Sequence, residues 1–238
     1  MEAEGGPLLE RALPHGQLAA WRLPLAAGDA PAPFDPLSLL HPAEARLARR
    51  WGPRRVRSWV AGRLALRRAL ALAGLPVDGP ILVAPGGAPQ VPGHVAVSIS
   101  HTVTAEGVLA VGLVGPAAEG ALGVDVEPLH PARPRALRGI LTTGEQAAVR
   151  ALPEPERWAA ALVRWCLKEA AFKAWAADCA PGFDPREVTA CPLPTGEATL
   201  TATGGGAPAW GPLEARWEIR GDLVLATARR KVPTSPPR

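Results

Sequence analysis

The chain has 238 residues, 47% hydrophobic and 20% charged, a balance that excludes a wholly disordered polyelectrolyte and leaves room for one large domain or two small ones. A net charge of +4, carried largely by arginine, suits phosphate ligands or acidic protein surfaces, and by itself leaves nucleic acid open. No apolar run reaches the ~20 residues of a membrane span, and the opening MEAEGGPLLERALPHG carries acids where a secretory leader is basic, so the expected location is the cytoplasm, with no membrane partner.

In chain order, the first helical signal runs from about Pro42 to Leu75. Leu47, Trp51, Val56, Trp59, Val60, Leu64 and Leu70 recur at helical spacing, Gly52-Pro53 divides the region in two, and Gly74 is a plausible stop. The stretch APGGAPQVPGH that follows holds too much Gly and Pro for a regular element. Val95 to Ser100 and Val108 to Val114 read as paired strands, and ALGVDVEPL as a third, ended by Pro128. Thr142 or Thr143 can cap a second helical half with Glu145 in its first turn, and a longer helix is expected from about Glu156 to Ala177. Strand-like pieces lie at Ala198 to Ala202, Ala215 to Ile219 and Leu223 to Ala228. Each half offers helices followed by strands, which predicts an α+β protein of two similar lobes, residues 1–118 and 119–230, before a proline-rich tail at 231–238 expected to be disordered. No internal sequence repeat is detectable. Cys166, Cys179 and Cys191 form no CxxC pair and are odd in number, so they read as reduced thiols.

Three segments carry candidate chemistry. In GVDVEP, positions two apart share a strand face, so Asp125 and Glu127 project together and can share a hard cation such as magnesium, while Val124 and Val126 enter the core. A half-exposed strand with a wet acidic face accounts for the motif equally. In WCLKEAAFKAW, Glu169 and Lys173 lie one helical turn apart on one face, with Trp165 a turn earlier; a surface ion pair is the plain alternative. In VSISHT, Ser100 and His101 offer a hydroxyl and an imidazole at a strand end, suited to phosphate rather than to a catalytic dyad, because neighbours on an extended chain point oppositely. A structural histidine is the competing account.

Taken in order, Ser-Ile-Ser-His-Thr, Gly-Val-Asp-Val-Glu and Trp-x-x-Lys-Glu-Ala-x-x-Lys closely resemble the motif series of the larger, single-chain 4′-phosphopantetheinyl transferases. The run GAPQVPGHVAVSISHT is similar to that of the enterobactin-type, siderophore-synthetase-activating group, and AGRLALRRAL resembles the family's arginine-bearing helix. The resemblance implies a pseudo-twofold pair of α+β lobes with coenzyme A in the cleft between them, and a Mg²⁺ ion surrounded by Asp125, Glu127 and Glu169. It implies that Glu169 accepts the proton of an attacking serine, as metal ligand, base or both, and that Lys173, with Lys168 helping, neutralises the pyrophosphate. Asp125, Glu169 and Lys173 are thus the catalytic set. Ser100 and His101 match positions contacting coenzyme A phosphates, Arg63 one holding the 3′-phosphate, and Arg55 and Arg67 are further coenzyme contacts. The implied reaction moves phosphopantetheine onto a serine of an apo acyl or peptidyl carrier protein and releases 3′,5′-ADP, in secondary-metabolite pathways such as polyketide, nonribosomal-peptide or siderophore synthesis. A monomer is expected, with an acidic carrier as partner.

Two positions depart from the family's pattern. Ala88 replaces the lysine of its Gly-Lys-Pro turn, and no tryptophan stands near Val91. Competing readings are a magnesium-dependent nuclease or nucleotidyl transferase acting on nucleic acid, and an inactive coenzyme A-binding relative. The basic helix lacks interleaved surface aromatics beyond Trp59, which argues against nucleic acid as a partner.

Overall fold

A computed structural model of the chain describes residues 6–24, 34–130, 139–175, 184–202 and 213–231. Cys179, the Gly-Gly-Gly run and the tail from residue 232 lie outside them. The chain divides into two compact units, Met1–Pro116 and Ala117–Arg238. Among the described residues no helix is long and apolar enough to cross a membrane.

The first unit opens with a hairpin, β1 (Gly6–Leu13) and β2 (Gly16–Leu23), that the sequence reading does not contain. GPLLERAL and GQLAAWRL lack β-branched residues and favour helix by propensity; their strand identity comes from β2 pairing with the central strand of the sheet. Two helices follow, α1 (Pro42–Ala48) and α2 (Pro53–Leu72), split at Gly52-Pro53 as the residues predict. The turn-rich stretch holds a two-residue ladder, β3 (Leu82–Val83) with β4 (Pro89–Gln90), a minimal element where none was expected. Then β5 (Val95–Thr104) and β6 (Gly107–Pro116) complete an antiparallel sheet of order β1-β2-β6-β5. Helix α2 lies across it, burying Val60, Ala61, Ala65, Leu66, Ala69 and Leu70.

The second unit contains β7 (Ala121–Pro128), α3 (Thr143–Arg150), α4 (Glu154–Trp175), β8 (Val188–Pro192), β9 (Glu197–Ala202), β10 (Leu213–Arg220) and β11 (Leu223–Arg230). Its sheet has the order β7-β11-β10-β9-β8, antiparallel throughout, and α4 crosses it chiefly over β7 and β11. Strand β8 is absent from the sequence reading. Thr142 is the cap of α3: its hydroxyl accepts from the Glu145 N–H, while Glu145 Oε2 accepts from the Thr142 N–H.

Both long helices approach their sheets over a glycine. A Cβ on Gly112 of β6 would stand 2.6 Å from Leu66 Cα, and one on Gly123 of β7 would stand 1.8 Å from the Ala170 carbonyl oxygen. On the rungs concerned Gly112 pairs with Ala19 on one side and Ile99 on the other, and Gly123 pairs with Ala228. Backbone-to-backbone contact of this kind fixes the height of each helix above its sheet.

Candidate active site

Strand alternation places Gly123, Asp125 and Glu127 on the face of β7 toward α4, with Val124 and Val126 buried on the other. Because Gly123 admits the helix so closely, residues of α4 reach the carboxylates directly. Lys173 Nζ donates to Asp125 Oδ1 at 2.8 Å and to the Val124 carbonyl at 2.9 Å. Asp125 is buried, 4% exposed, while the Lys173 side chain is 26% exposed, so the pair is desolvated chiefly at its acid. Two turns earlier on the same helical face the fully buried Cys166 thiol hydrogen-bonds Asp125, and burial, followed by the charges of Asp125 and Glu127, holds it protonated well above its ordinary range. Between these two lies half-buried Glu169. Burial first, then the charge of Asp125, raises its carboxyl above the usual range, with Lys173 opposing. Asp125, Glu169 and Lys173 are therefore one electrostatic group in which acid exceeds base.

Cys166 was not among the sequence-predicted site residues. Its spacing of three before Glu169 and seven before Lys173 puts it on their face, and that periodicity was the available signal. The three carboxylates offer oxygen donors only, the chemistry of Mg²⁺ rather than of zinc. Among the described residues, no three His, Cys, Asp or Glu side chains gather closely enough to hold a metal ion.

Lys168 takes a different place from the one the resemblance implies. It is 0% exposed, and its ammonium donates to Glu145 Oε2 at 2.6 Å, to the Ile140 carbonyl at 2.8 Å and to the Pro185 carbonyl at 2.8 Å. With three donors thus used it has none left for a pyrophosphate. Adjacent helix positions point about 100° apart, so Lys168 faces inward here while Glu169 faces β7. Arg67 is likewise an internal tie: its guanidinium meets Glu44 Oε2 at 2.8 Å, the Val77 carbonyl at 2.5 Å and the Gly79 carbonyl at 2.9 Å. In the free chain these ties use all three donors of Lys168 and three of the five N–H donors of Arg67.

The remaining first-unit residues differ in availability. Arg63, 6% exposed, stacks 3.4 Å over the Trp59 ring and donates its Nε to the Ile81 carbonyl, while one terminal nitrogen is buried with no protein partner. Burial, with the Arg67 charge adding to it against Glu44, lowers its pKa to about 10. Arg55 is exposed and stacks on Trp51. Ser100 and His101 do not end a strand, because β5 runs on to Thr104. Ser100 is buried on one face; exposed His101 shares the other with Ile99, which meets α2 at Gly62. An open concavity of about 600 Å³ in the second unit, lined by Leu141, Thr142, Gln146, Arg186 and Thr189 among others, contains none of the predicted site residues.

Comparison with known proteins assigns these two units. Residues 43–111 match the 4'-phosphopantetheinyl transferase N-terminal domain, and residues 121–228, which include the Asp125, Glu169 and Lys173 group, match the 4'-phosphopantetheinyl transferase superfamily. The chain is 36% identical over 155 residues to 4'-phosphopantetheinyl transferase Svp of Streptomyces mobaraensis; the alignment covers 60% of this chain and 57% of that protein, under two thirds of its length. Among solved structures it is similar to the acyl carrier protein synthase of Mycobacterium tuberculosis, with TM-score 0.38, 21% identity and coverage of 47% and 96% of the two chains. It is also similar to the holo-[acyl-carrier-protein] synthase of Thermotoga maritima, with TM-score 0.37, 19% identity and coverage of 45% and 60%. With its two matched regions falling one in each unit, the chain belongs to the 4'-phosphopantetheinyl transferase superfamily.

Proposed function

We propose that this chain transfers the phosphopantetheine arm of coenzyme A to a serine of an apo carrier protein. The observation that carries the reading is the ion pair of Lys173 with buried Asp125, with Glu169 beside it, its pKa raised, inside the stretch matched to the superfamily. In the reaction the serine oxygen bonds to the β-phosphorus of coenzyme A, the bond from that phosphorus to the oxygen of 3′,5′-ADP breaks, and the serine proton leaves to a base.

Glu169 suits the base. A carboxylate whose pKa is raised by burial and by the neighbouring Asp125 holds an accepted proton better than an ordinary one. Lys173, held by Asp125, places a positive charge where the leaving pyrophosphate oxygen becomes negative. The Val124 carbonyl accepts a second hydrogen bond from Lys173 and helps to fix the pair. Asp125 and Glu169 would hold Mg²⁺ through few protein oxygens, leaving its other positions to phosphate and water; Glu127, two residues on along β7, does not complete a three-carboxylate cluster. When bound, the ion would supply charge neutralisation at the pyrophosphate. Arg63, Ser100 and His101 are read as coenzyme contacts offered by the first unit. The proline-containing run before Ser-His supports the enterobactin-type group.

Intact-protein mass spectrometry tests the reading. Apo acyl and peptidyl carrier proteins incubated with this protein, coenzyme A and Mg²⁺ should gain the mass of one phosphopantetheine, and EDTA should prevent it. Asp125→Asn and Lys173→Met should each lower kcat/KM by on the order of 100-fold or more while the protein stays folded. No gain on any carrier would sink the assignment of activity.

A further inference from the structure

The sequence between residues 41 and 72 holds nine arginines and a single acid, Glu44. Four of the arginines are spoken for inside the first unit. Arg57 donates to the Pro24 carbonyl, Arg63 to the Ile81 carbonyl, Arg67 to Glu44 and Arg68 to Glu10. The other five, Arg46, Arg49, Arg50, Arg54 and Arg55, are all exposed and occupy the elbow between α1 and α2. Among the described residues none of the five has an acidic partner.

Folding alone does not explain this placement. Arg54 and Arg55 sit in the first turn of α2, which contains no acid and whose cap, Gly52, makes no side-chain hydrogen bond. Positive charge at a helix N-terminus opposes the macrodipole, so the arrangement costs stability in the free protein. Removing the five from the chain's formal charge of +4 would leave −1, so the basic character of the whole protein is concentrated at this elbow. Exposed Leu47 and half-buried Trp51 lie within the basic set. An apolar centre with an arginine surround is the composition of a protein-binding patch.

We propose that the α1–α2 elbow is a docking surface for the acidic face of a carrier protein. The choice of partner rests on the transferase reading above; the choice of an acidic protein surface rests on the elbow. Nucleic acid fits less well, because Trp51 is engaged on its ring face by Arg55 at 4.4 Å and edge-to-face with Trp59 at 5.0 Å, and so is poorly placed to stack on bases. A single small phosphate would need the donors to converge, whereas these are spread over ten residues, from α1 through the turn to the start of α2.

The test uses Arg49→Glu with Arg50→Glu, neither of which belongs to the proposed catalytic or coenzyme set. Fluorescence anisotropy of a labelled apo acyl carrier protein should show its Kd raised on the order of tenfold or more in the variant. Binding to the native protein should weaken steeply with salt, and binding to the variant should not. In transfer assays KM for the carrier should rise while kcat and KM for coenzyme A stay unchanged. An unaltered carrier Kd in a folded variant overturns the proposal, as does a rise confined to KM for coenzyme A. Tighter binding of a DNA or RNA oligonucleotide than of the carrier, lost in the same variant, assigns the elbow to nucleic acid and overturns it as well. Should no carrier be modified at all, the activity reading fails, but salt-sensitive carrier binding lost in the variant would leave the docking surface standing.

Discussion

The two units solve the same folding problem with the same parts and fill it with opposite chemistry. In the first, β2, β6 and β5 are neighbours under α2; in the second, β7, β11 and β10 are neighbours under α4. Each has a capping-box glutamate at the start of a short helix, Glu44 or Glu145, and each glutamate ties a base 23 residues later on the long helix, Arg67 or Lys168. The second oxygen of each accepts from a distant backbone amide, that of Ile81 or of Ala190. On the strand face beneath the helix, however, the first unit has Ala19, Trp21 and Leu23 where the second has Gly123, Asp125 and Glu127. Two before and five beyond the tied base stand Ala65 and Leu72 in one helix and Cys166 and Lys173 in the other. Both units bury charge within this frame, Glu44 and Arg63 in the first and Glu145 and Lys168 in the second, but among the described residues only the second pairs a buried strand acid, Asp125, with a base on its long helix, Lys173.

The largest effect should come from cutting the second clamp. Glu145→Ala leaves the 0% exposed Lys168 ammonium buried without its counter-ion, at a cost of about 3–5 kcal/mol. Glu44→Ala should cost less, about 1–3 kcal/mol, because the Arg67 side chain is 20% exposed and can turn toward water. Urea denaturation of the two variants measures the difference. Equal losses would mean that the clamps are not distinguished by burial. Next is Gly123→Ala, whose Cβ would meet the Ala170 carbonyl and the Ala174 amide and must lift α4; about 3 kcal/mol is expected, and transfer should fall with it because Lys173 rides on the same helix.

A sharper form of the comparison gives the second unit the first unit's chemistry. Asp125→Leu combined with Lys173→Leu replaces an ion pair whose acid is buried with apolar side chains, which is expected to leave the fold as stable as before or more stable by about 1 kcal/mol. Transfer should disappear. A folded, more stable and inactive protein would place the pair in function; a strongly destabilised one would make Lys173 a structural tie like Lys168.

How much of this the residues disclose depends on the kind of information each feature uses. Helix α2, its break at Gly52-Pro53, the β5–β6 pair and β7 follow from periodicity and breakers, which are local. Strands β1, β2 and β8 are set by pairing with distant strands, and nothing local in GPLLERAL predicts a strand. The acidic group was legible because period two on β7 and period four on α4 each put the residues on one face. The tie of Lys168 was not legible for the converse reason: its motif neighbours are on the β7 face, but it is one position away and turns into the interior toward Glu145, 23 residues earlier. The similarity of the units was visible as an order of elements, while the matching clamps that express it join residues too far apart for a local pattern to reveal.

Glu169 supplies the smallest effect and the most specific one. Its folded-state pKa is raised, by burial and then by Asp125, above the value of about 4.3 that it has in an unfolded chain. The folded state therefore binds the proton more tightly, and the stability this contributes is present below about pH 4.3 and is lost as pH rises through the folded value. Glutamine has no proton to lose. Glu169→Gln should thus match the native protein near pH 4 and exceed it in stability at pH 7, with the gap opening across the window between the unfolded and folded pKa. Thermal denaturation from pH 4 to pH 8 follows it directly. Adding Asp125→Asn should narrow the gap by removing the charge that helps raise Glu169. Parallel curves at every pH would mean that Glu169 does not share a desolvated acidic group with Asp125, and the contrast with the apolar seam of the first unit would then rest on Asp125 and Lys173 alone.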